Sequence, residues 1–119
     1  MRSLTRAAVI VLATAAMAFA AAPKKATCAQ ARETFANRCE MCHGPNGKGY
    51  AAIHTPDFTS KAWQAGHTDA QLIHAVENGV NGAGQMPAFK GQLSDAQIDA
   101  LVKCVVRGFG KPAAAKPAH

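Results

Sequence analysis

A Cys-x-x-Cys-His run, formed by Cys39, Cys42 and His43, constrains this 119-residue chain more than any other feature. On a helical turn, residues i, i+3 and i+4 share one face, so both thiols and the imidazole would point the same way. Covalent attachment of a c-type haem needs this arrangement, because two thiols bond the haem vinyl groups and the imidazole ligates the iron. The run therefore predicts one covalent haem, with His43 as an iron ligand.

Two other kinds of site use a similar run. A thioredoxin-like dithiol needs a strand–helix–strand context, whereas the residues before Cys39 show helical signals without β-branched alternation. A zinc site needs a second ligand pair at motif spacing, whereas Cys28 and Cys104 stand alone in the sequence. Both alternatives fit less well than a haem.

The N-terminus has the three parts of a secretory signal peptide. Arg2 and Arg6 precede an apolar run that ends in Ala18-Phe19-Ala20, a small-x-small cleavage site. The run is short for a membrane span, and an uncleaved anchor is the alternative. We expect residues 1–20 to be a cleaved signal peptide and the protein to be periplasmic, because covalent haem attachment and disulfides both belong to exported compartments.

The remaining chain is long enough for one small domain, which we place at residues 21–109. Such a chain has a marginal apolar core, and a buried haem would supply the missing apolar mass. Loss of Arg2 and Arg6 leaves 11 basic and 7 acidic residues, a mild excess that is not typical of nucleic-acid binding. Residues 110–119, rich in Ala, Pro and Lys, have no apolar period and are expected to form a disordered tail.

Three capping boxes predict three main helices. Each pairs a hydroxyl residue with a Gln three positions later: Thr27 with Gln30, Thr68 with Gln71, and Ser94 with Gln97. The first helix is expected to run from about Cys28 into the haem motif, the second to stop at Asn78-Gly79, and the third to end at Gly108. A shorter turn is expected at residues 60–65, and the other segments are predicted as loops. No strand is predicted, so the fold class is all-α.

Beyond the motif, several segments resemble class I cytochromes c. They are Phe35, Gly44-Pro45-Asn46-Gly47-Lys48-Gly49, Pro56-Asp57-Phe58-Thr59, Trp63 and Gly82-x-x-x-Met86-Pro87-Ala88-Phe89. More narrowly, the chain is similar to the cytochrome c domains of the dihaem subunit of cbb-type oxidases and to small soluble bacterial cytochromes c. The resemblance implies a class I cytochrome c fold, with three main helices and short turns wrapped around one haem c.

The resemblance also implies Met86 as the second axial ligand of the iron. Met86 lies in a Gly-rich loop and precedes Pro87, which favours an extended backbone at the haem face. His/Met ligation raises the reduction potential relative to bis-His ligation and suits an electron carrier. The other candidate ligands, each expected to be a surface residue, are His54, His67, His74 and His119.

Three further roles follow from the resemblance. The Pro56 carbonyl is expected to accept the other N–H of His43. The indole N–H of Trp63 is expected to bond a haem propionate, with a role as a core aromatic as the alternative. The first and last helices cross in class I cytochromes c, so Cys28 and Cys104 are expected to form a disulfide, with two separate thiols as the alternative.

Together these features predict a soluble, monomeric, non-enzymatic carrier of single electrons between redox proteins such as an oxidase, a quinol-oxidising complex or a dehydrogenase. One alternative is a haem subunit held in such a complex, and another is a five-coordinate ligand-binding haem protein, against which Met86 argues. Lys48, Lys61 and Lys90 are expected either to steer acidic partners to the haem edge or to be ordinary solvated lysines. Nucleic acid and a membrane are not expected as partners.

Overall fold

The computed structural model describes residues 25–112, which contain helices, loops and two isolated β-bridges but no strand. The elements are α1 (Cys28–Arg38), α2 (Glu40–His43), a 3-10 turn (Ala51–Ile53), α3 (Lys61–Ala65), α4 (Asp69–Asn78), α5 (Asp95–Ala100), a π-helical segment (Leu101–Val106) and α6 (Arg107–Phe109). The junctions between the last three keep helical backbone angles, so they form one C-terminal helix. The all-α prediction is confirmed.

The predicted signal peptide and most of the predicted tail, including His119, lie outside the described residues. None of the helices within 25–112 is long and apolar enough to span a bilayer. The predicted domain bounds, residues 21–109, therefore stay a prediction.

All three predicted capping boxes form. At the start of α1, the Thr27 hydroxyl accepts the Gln30 N–H at 3.2 Å, and the Gln30 side-chain oxygen accepts the Thr27 N–H at 2.9 Å. The same reciprocal pair starts α4 at Thr68 and the C-terminal helix at Ser94. Each box satisfies N–H groups that have no partner within the first turn of a helix. The predicted helix starts are therefore correct.

The helix ends agree less closely with those predicted from the sequence. The first helix was expected to continue into the haem motif but stops at Arg38, because Cys39 leaves the helical region with φ −120°. The Cys39 carbonyl then accepts N–H groups from Cys42 at 3.1 Å and His43 at 3.0 Å, which starts the new turn of α2. The C-terminal helix continues to Phe109, and its π-helical segment has the same apolar spacing that predicted an α-helix.

The core forms where α1 and α4 pack against the C-terminal helix. Its buried apolar residues are Ala31, Phe35, Phe58, Leu72, Phe89, Leu93, Ile98, Ala100, Leu101, Val102, Val105 and Val106. The predicted stripe of the last helix is part of this set, since Ile98 and Val102 are fully buried and Leu101 and Val105 nearly so. The C-terminal helix is therefore the element around which the other two main helices are arranged.

A disulfide joins Cys28, the first residue of α1, to Cys104 in the π-helical segment. The two residues are 76 positions apart in the chain, and α1 packs directly against this part of the C-terminal helix. The predicted pairing is confirmed. On the chain-entropy account, closing so long a loop stabilises the folded state by about 4 kcal/mol.

Replacing both cysteines, Cys28→Ser with Cys104→Ser, should lower the free energy of unfolding by up to about 4 kcal/mol, because the unfolded chain regains its loop entropy. Denaturant unfolding of the haem-loaded protein measures the change. A reductant should destabilise the wild type by a similar amount and have no effect on the double variant. Equal stability of the two proteins, or two free thiols in the denatured wild type, would contradict the bond.

Candidate haem-binding site

One cavity of about 410 Å³ brings together all six residues that the sequence analysis assigned to the site: Cys39, Cys42, His43, Pro56, Trp63 and Met86. Its size lies within the range of small-molecule pockets, about 300 to 1,000 Å³. Most of the remaining wall is apolar and includes Phe35, Phe58, Leu72, Val76, Leu101 and Val102. The cavity therefore suits a large apolar group that is held by a few specific side chains.

The two motif cysteines border this cavity as free thiols. Burial raises the pKa of the Cys39 thiol to about 11, although the positive charge of Arg38 acts in the opposite direction. A thioredoxin-like centre needs a cysteine of lowered pKa, so the environment of Cys39 argues against that alternative. Within residues 25–112 no three His, Cys, Asp or Glu side chains are grouped so that they could hold a metal ion.

His43 is 9% exposed, and its ring stacks on Phe58 with the centroids 4.8 Å apart. Burial lowers the pKa of His43, which favours the neutral imidazole that ligates metals. Its Nδ1 is buried and has no hydrogen-bond partner among residues 25–112. Two thiols, a neutral imidazole and an apolar cavity are what a covalent haem requires, so the described residues fit that group.

The expected hydrogen bond from His43 to the Pro56 carbonyl is not formed, because Nδ1 of His43 has no partner and the ring is packed against Phe58. Pro56 lines the cavity, but its carbonyl faces Gly49 instead. A Cβ at Gly49, which has φ +66°, would lie 2.5 Å from that oxygen. Pro56 therefore lines the cavity, and its hydrogen bond to a haem-ligating His43 stays a prediction.

Met86 also lines the cavity and is half-buried. Its backbone exchanges two hydrogen bonds with Val80, each of 3.0 Å. Gly79, with φ +76°, lies so close that a Cβ there would be 2.5 Å from the Met86 carbonyl oxygen. Because other residues rarely adopt this angle, glycine is needed at the end of α4 for the Met86 loop to pack against it.

The chain that follows Met86 is attached to the same end of α4. The Phe89 N–H donates to the Val76 carbonyl at 2.9 Å, and the Lys90 N–H donates to the Glu77 carbonyl at 3.1 Å. These bonds use carbonyl groups that a helix leaves free in its last turn. Met86 is thus fixed by backbone contacts on both sides.

Trp63 is half-buried on α3 and packs between two other rings of the cavity wall. Its centroid lies 4.8 Å from that of Phe58 and 4.5 Å from that of His67. None of the hydrogen bonds within residues 25–112 uses the indole N–H. Within these residues, Trp63 therefore lacks the backbone hydrogen bond that its alternative role as a core aromatic would include.

Arg107 and Gln64 hold this wall to the C-terminal helix. The Arg107 guanidinium donates to Asp69 at 2.7 Å, to the Gln64 side chain and backbone carbonyl at 2.8 Å each, and to the His67 carbonyl at 2.6 Å. The Gln64 side chain in turn donates to the carbonyls of Phe58 and Val106 at 2.7 and 2.8 Å. No spacing or motif in the sequence predicted this network.

The other histidines considered as ligands differ in whether they line the cavity. His74 is exposed, as expected, and lies outside the cavity wall. His54 is also exposed but lines the cavity. His67 was expected at the surface, but it is half-buried and lines the cavity, where its ring packs against Trp63 in a tilted arrangement. Arg38 also lines the cavity and was missed, although its position directly before Cys39 is a signal in the sequence.

The three predicted docking lysines, Lys48, Lys61 and Lys90, are all exposed and lie outside the cavity wall.

Comparisons with known proteins all point to one family. Residues 26–103 match the family described as cytochrome c oxidase, cbb3-type, subunit III. The FixP subunit of the cbb3-type oxidase of Bradyrhizobium sp. is 42% identical over 67 residues, which cover 56% of this chain and 22% of FixP. Cytochrome c6 of Picosynechococcus sp. is 38% identical over 104 residues, covering 82% of this chain and 86% of that protein.

Among solved structures, the KustC0563 c-type cytochrome superimposes with a TM-score of 0.60 at 31% identity, covering 68% of this chain and 98% of that one. The chain spans 22% of the length of the Bradyrhizobium FixP subunit. These likenesses confirm the class I cytochrome c fold and haem c as the cofactor, and they identify an electron-transfer protein. The chain belongs to the cytochrome c family typified by subunit III of cbb3-type oxidases.

Proposed function

We propose that this protein is a soluble, periplasmic, single-haem cytochrome that carries one electron at a time between respiratory or dehydrogenase partners. The observation that carries the proposal is that His43 and Met86 line the same cavity as the two thiols of the motif. The signal-like residues 1–20 support export. The similarity to cytochrome c6 over most of both chains supports a carrier built from one haem domain.

Each residue of the site has a defined part in this function. Cys39 and Cys42 hold the haem covalently, and His43, kept neutral by burial, is one iron ligand. Met86, fixed by Val80 and Gly79, is the other ligand. When bound, the haem supplies a one-electron iron couple, whose potential His/Met ligation raises. Trp63, whose indole N–H no hydrogen bond within residues 25–112 uses, would donate it to a haem propionate.

Exposed apolar side chains would make contacts with partner proteins that dock at the cavity. The large ones are Met41, Tyr50, Ile53 and Val80, which are 90, 47, 45 and 43% exposed. Val80 lines the cavity, and Met41 lies between the two motif cysteines. Exposed apolar side chains of this kind, at Val80 in the cavity wall and at Met41 within the motif, suit the brief contacts of electron-transfer complexes.

The likeness to FixP favours a second candidate, a haem subunit held within an oxidase or dehydrogenase complex. Purification of the tagged protein from the membrane fraction and from the soluble fraction of its native cells distinguishes the two candidates. Recovery of most of the haem-loaded protein alone in the soluble fraction supports the carrier. Recovery in a fixed ratio with an oxidase or dehydrogenase supports the subunit.

The exported protein should have the mass of the chain without its signal peptide plus one haem, and acidified organic solvent should not extract the haem. Cys39→Ala with Cys42→Ala should abolish covalent attachment. The matched control is Cys28→Ser with Cys104→Ser, which removes the other pair of cysteines and should keep the haem attached. Extractable haem in the wild type would contradict the assignment.

Met86→Ala should lower the reduction potential and yield a high-spin or water-ligated iron that binds added ligands, because a strong-field axial ligand is lost. Absorption spectra of both oxidation states and a redox titration measure this. Met41→Ala is the control, since Met41 is 90% exposed and should leave both properties unchanged. A low-spin spectrum that survives Met86→Ala would show that another residue ligates the iron.

Electron exchange with an anionic reagent such as hexacyanoferrate should slow as salt rises, because Arg38 lines the cavity and Lys48 and Lys90 are exposed. Arg38→Glu, and Lys48→Glu with Lys90→Glu, should each lower the second-order rate by about two- to tenfold at low salt. Lys103→Glu is the control, because Lys103 pairs with Asp99 on the C-terminal helix. Rates that change neither with salt nor with these charge reversals would mean that docking is apolar.

A further inference from the structure

The rings around His43 form an aromatic cluster that extends beyond the cavity. Phe58 stacks on the His43 ring with the centroids 4.8 Å apart and the planes 21° apart, and Phe35 lies 6.4 Å from the same ring. Phe109, the last residue of the C-terminal helix, packs on both phenylalanines, at 5.4 Å from Phe35 and 6.3 Å from Phe58. All these separations lie within the range of interacting aromatic pairs. The other three rings line the cavity, whereas Phe109 does not.

Phe109 also contacts the loop that follows the haem motif. Its ring packs so tightly on Gly47 that a Cβ there would lie 2.6 Å from two of the ring carbons. Gly47 is buried and has φ +71°, an angle that other residues rarely adopt. The Gly47 carbonyl accepts the Phe58 N–H at 2.8 Å. Phe109 therefore holds Phe58 in two ways, by contact between the rings and by packing on the residue that bonds the Phe58 backbone.

The end of the C-terminal helix reaches Phe58 by a second route, through Gln64. The Gln64 side chain donates to the Phe58 carbonyl at 2.7 Å. Its stem packs against Gly110, where a Cβ would lie 2.6 Å from Cγ of Gln64. Interiors packed this closely transmit a displacement rather than absorb it. The position of Phe58, and of the His43 ring stacked on it, therefore depends on where the last turn of the C-terminal helix lies.

We propose that Phe109 is a positioning residue for His43. Phe109 fixes the place of the Phe58 ring, and the Phe58 ring fixes the plane of the imidazole and fills the space beside it. The inference rests on the proposed function, since it needs an iron that His43 ligates. It gives the last turn of the C-terminal helix, which lies outside the cavity wall, a part in setting the reduction potential.

The sign of the effect follows from the surroundings of the imidazole. The apolar shell of a metal site controls solvent access and local dielectric, and through them the reduction potential. The oxidised site carries one more positive charge than the reduced site, so a wetter environment stabilises the oxidised state. Truncation of Phe109 opens space beside Gly47 and Phe58. It should therefore lower the midpoint potential and free the imidazole to turn.

Redox titration and proton NMR of the haem-loaded protein test the proposal. Phe109→Ala should shift the midpoint potential downwards and move the hyperfine-shifted signals of the His43 ring in the oxidised protein. Phe109→Tyr keeps the ring and should leave both properties as in the wild type. Ile98→Val is the matched control, because Ile98 is fully buried near the start of the same helix but belongs to neither the cavity wall nor the aromatic cluster. It should loosen the core without moving either property.

A measurement on the wild type keeps the proposal testable if Phe109→Ala fails to fold. In the reduced haem-loaded protein, nuclear Overhauser contacts should join the Phe109 ring to Gly47 and to Phe58, and the Phe58 ring to His43. Absence of these contacts overturns the proposal.

Three results of the variant experiment also overturn it. They are a Phe109→Ala protein that keeps either the wild-type potential or the wild-type His43 signals, a shift of equal size in Ile98→Val, and a shift of equal size in Phe109→Tyr. Each leaves the proposed function intact, provided that the iron still cycles reversibly and Met86→Ala still changes its ligation. An iron that fails to cycle reversibly would instead overturn the proposed function.

Discussion

The close approach between Gly79 and the Met86 loop is the contact on which the site depends. A Cβ at Gly79 would meet three backbone groups of the loop, at 2.5 Å from the Met86 oxygen and about 3 Å from Pro87 and Ala88. Interiors are close-packed and do not adjust continuously, so a side chain there would displace the loop. Because Val80 and Met86 exchange hydrogen bonds just beyond this point, the position of the methionine follows from backbone geometry alone.

The wall that carries Trp63 and His67 is held in a different way. There the supporting contacts come chiefly from two side chains. Arg107 extends from the C-terminal helix to Asp69 and Gln64, and Gln64 extends toward the C-terminal helix and bonds Val106. Satisfied side-chain networks of this kind rigidify the segments that they join. The Met86 wall is thus held by backbone contacts and the Trp63 wall by side-chain hydrogen bonds.

Local features of the fold were predictable from the sequence because their causes are local. The capping boxes at Thr27, Thr68 and Ser94 each act over three residues, and all three form. The haem motif brings its residues to one cavity because a single helical turn does so. The resemblance to class I cytochromes c supplied what local reasoning lacks, namely the placement of Met86 at the same cavity and the pairing of Cys28 with Cys104.

The parts that sequence reasoning missed depend on contacts between distant segments. Arg107 meets Asp69 across 38 positions and Gln64 across 43, and no spacing rule links such residues. His67 was predicted at the surface because it precedes a helix cap, yet its ring is drawn into the wall by Trp63 four positions earlier. The π-helical segment was also missed, since Leu101, Val102 and Val105 fit an α-helical stripe equally well.

The position of α1 shows how covalent bonds and packing combine in so small a domain. The helix starts at Cys28, which is bonded to the C-terminal helix, and ends one residue before Cys39, which borders the cavity. Between them, Ala31 and Phe35 are buried in the core. A chain of this length has little apolar core to spare, so a helix anchored at both ends holds the cavity wall with few contacts. The haem, bonded at Cys39 and Cys42, would add apolar mass to the core that the Cys28–Cys104 disulfide helps to hold together.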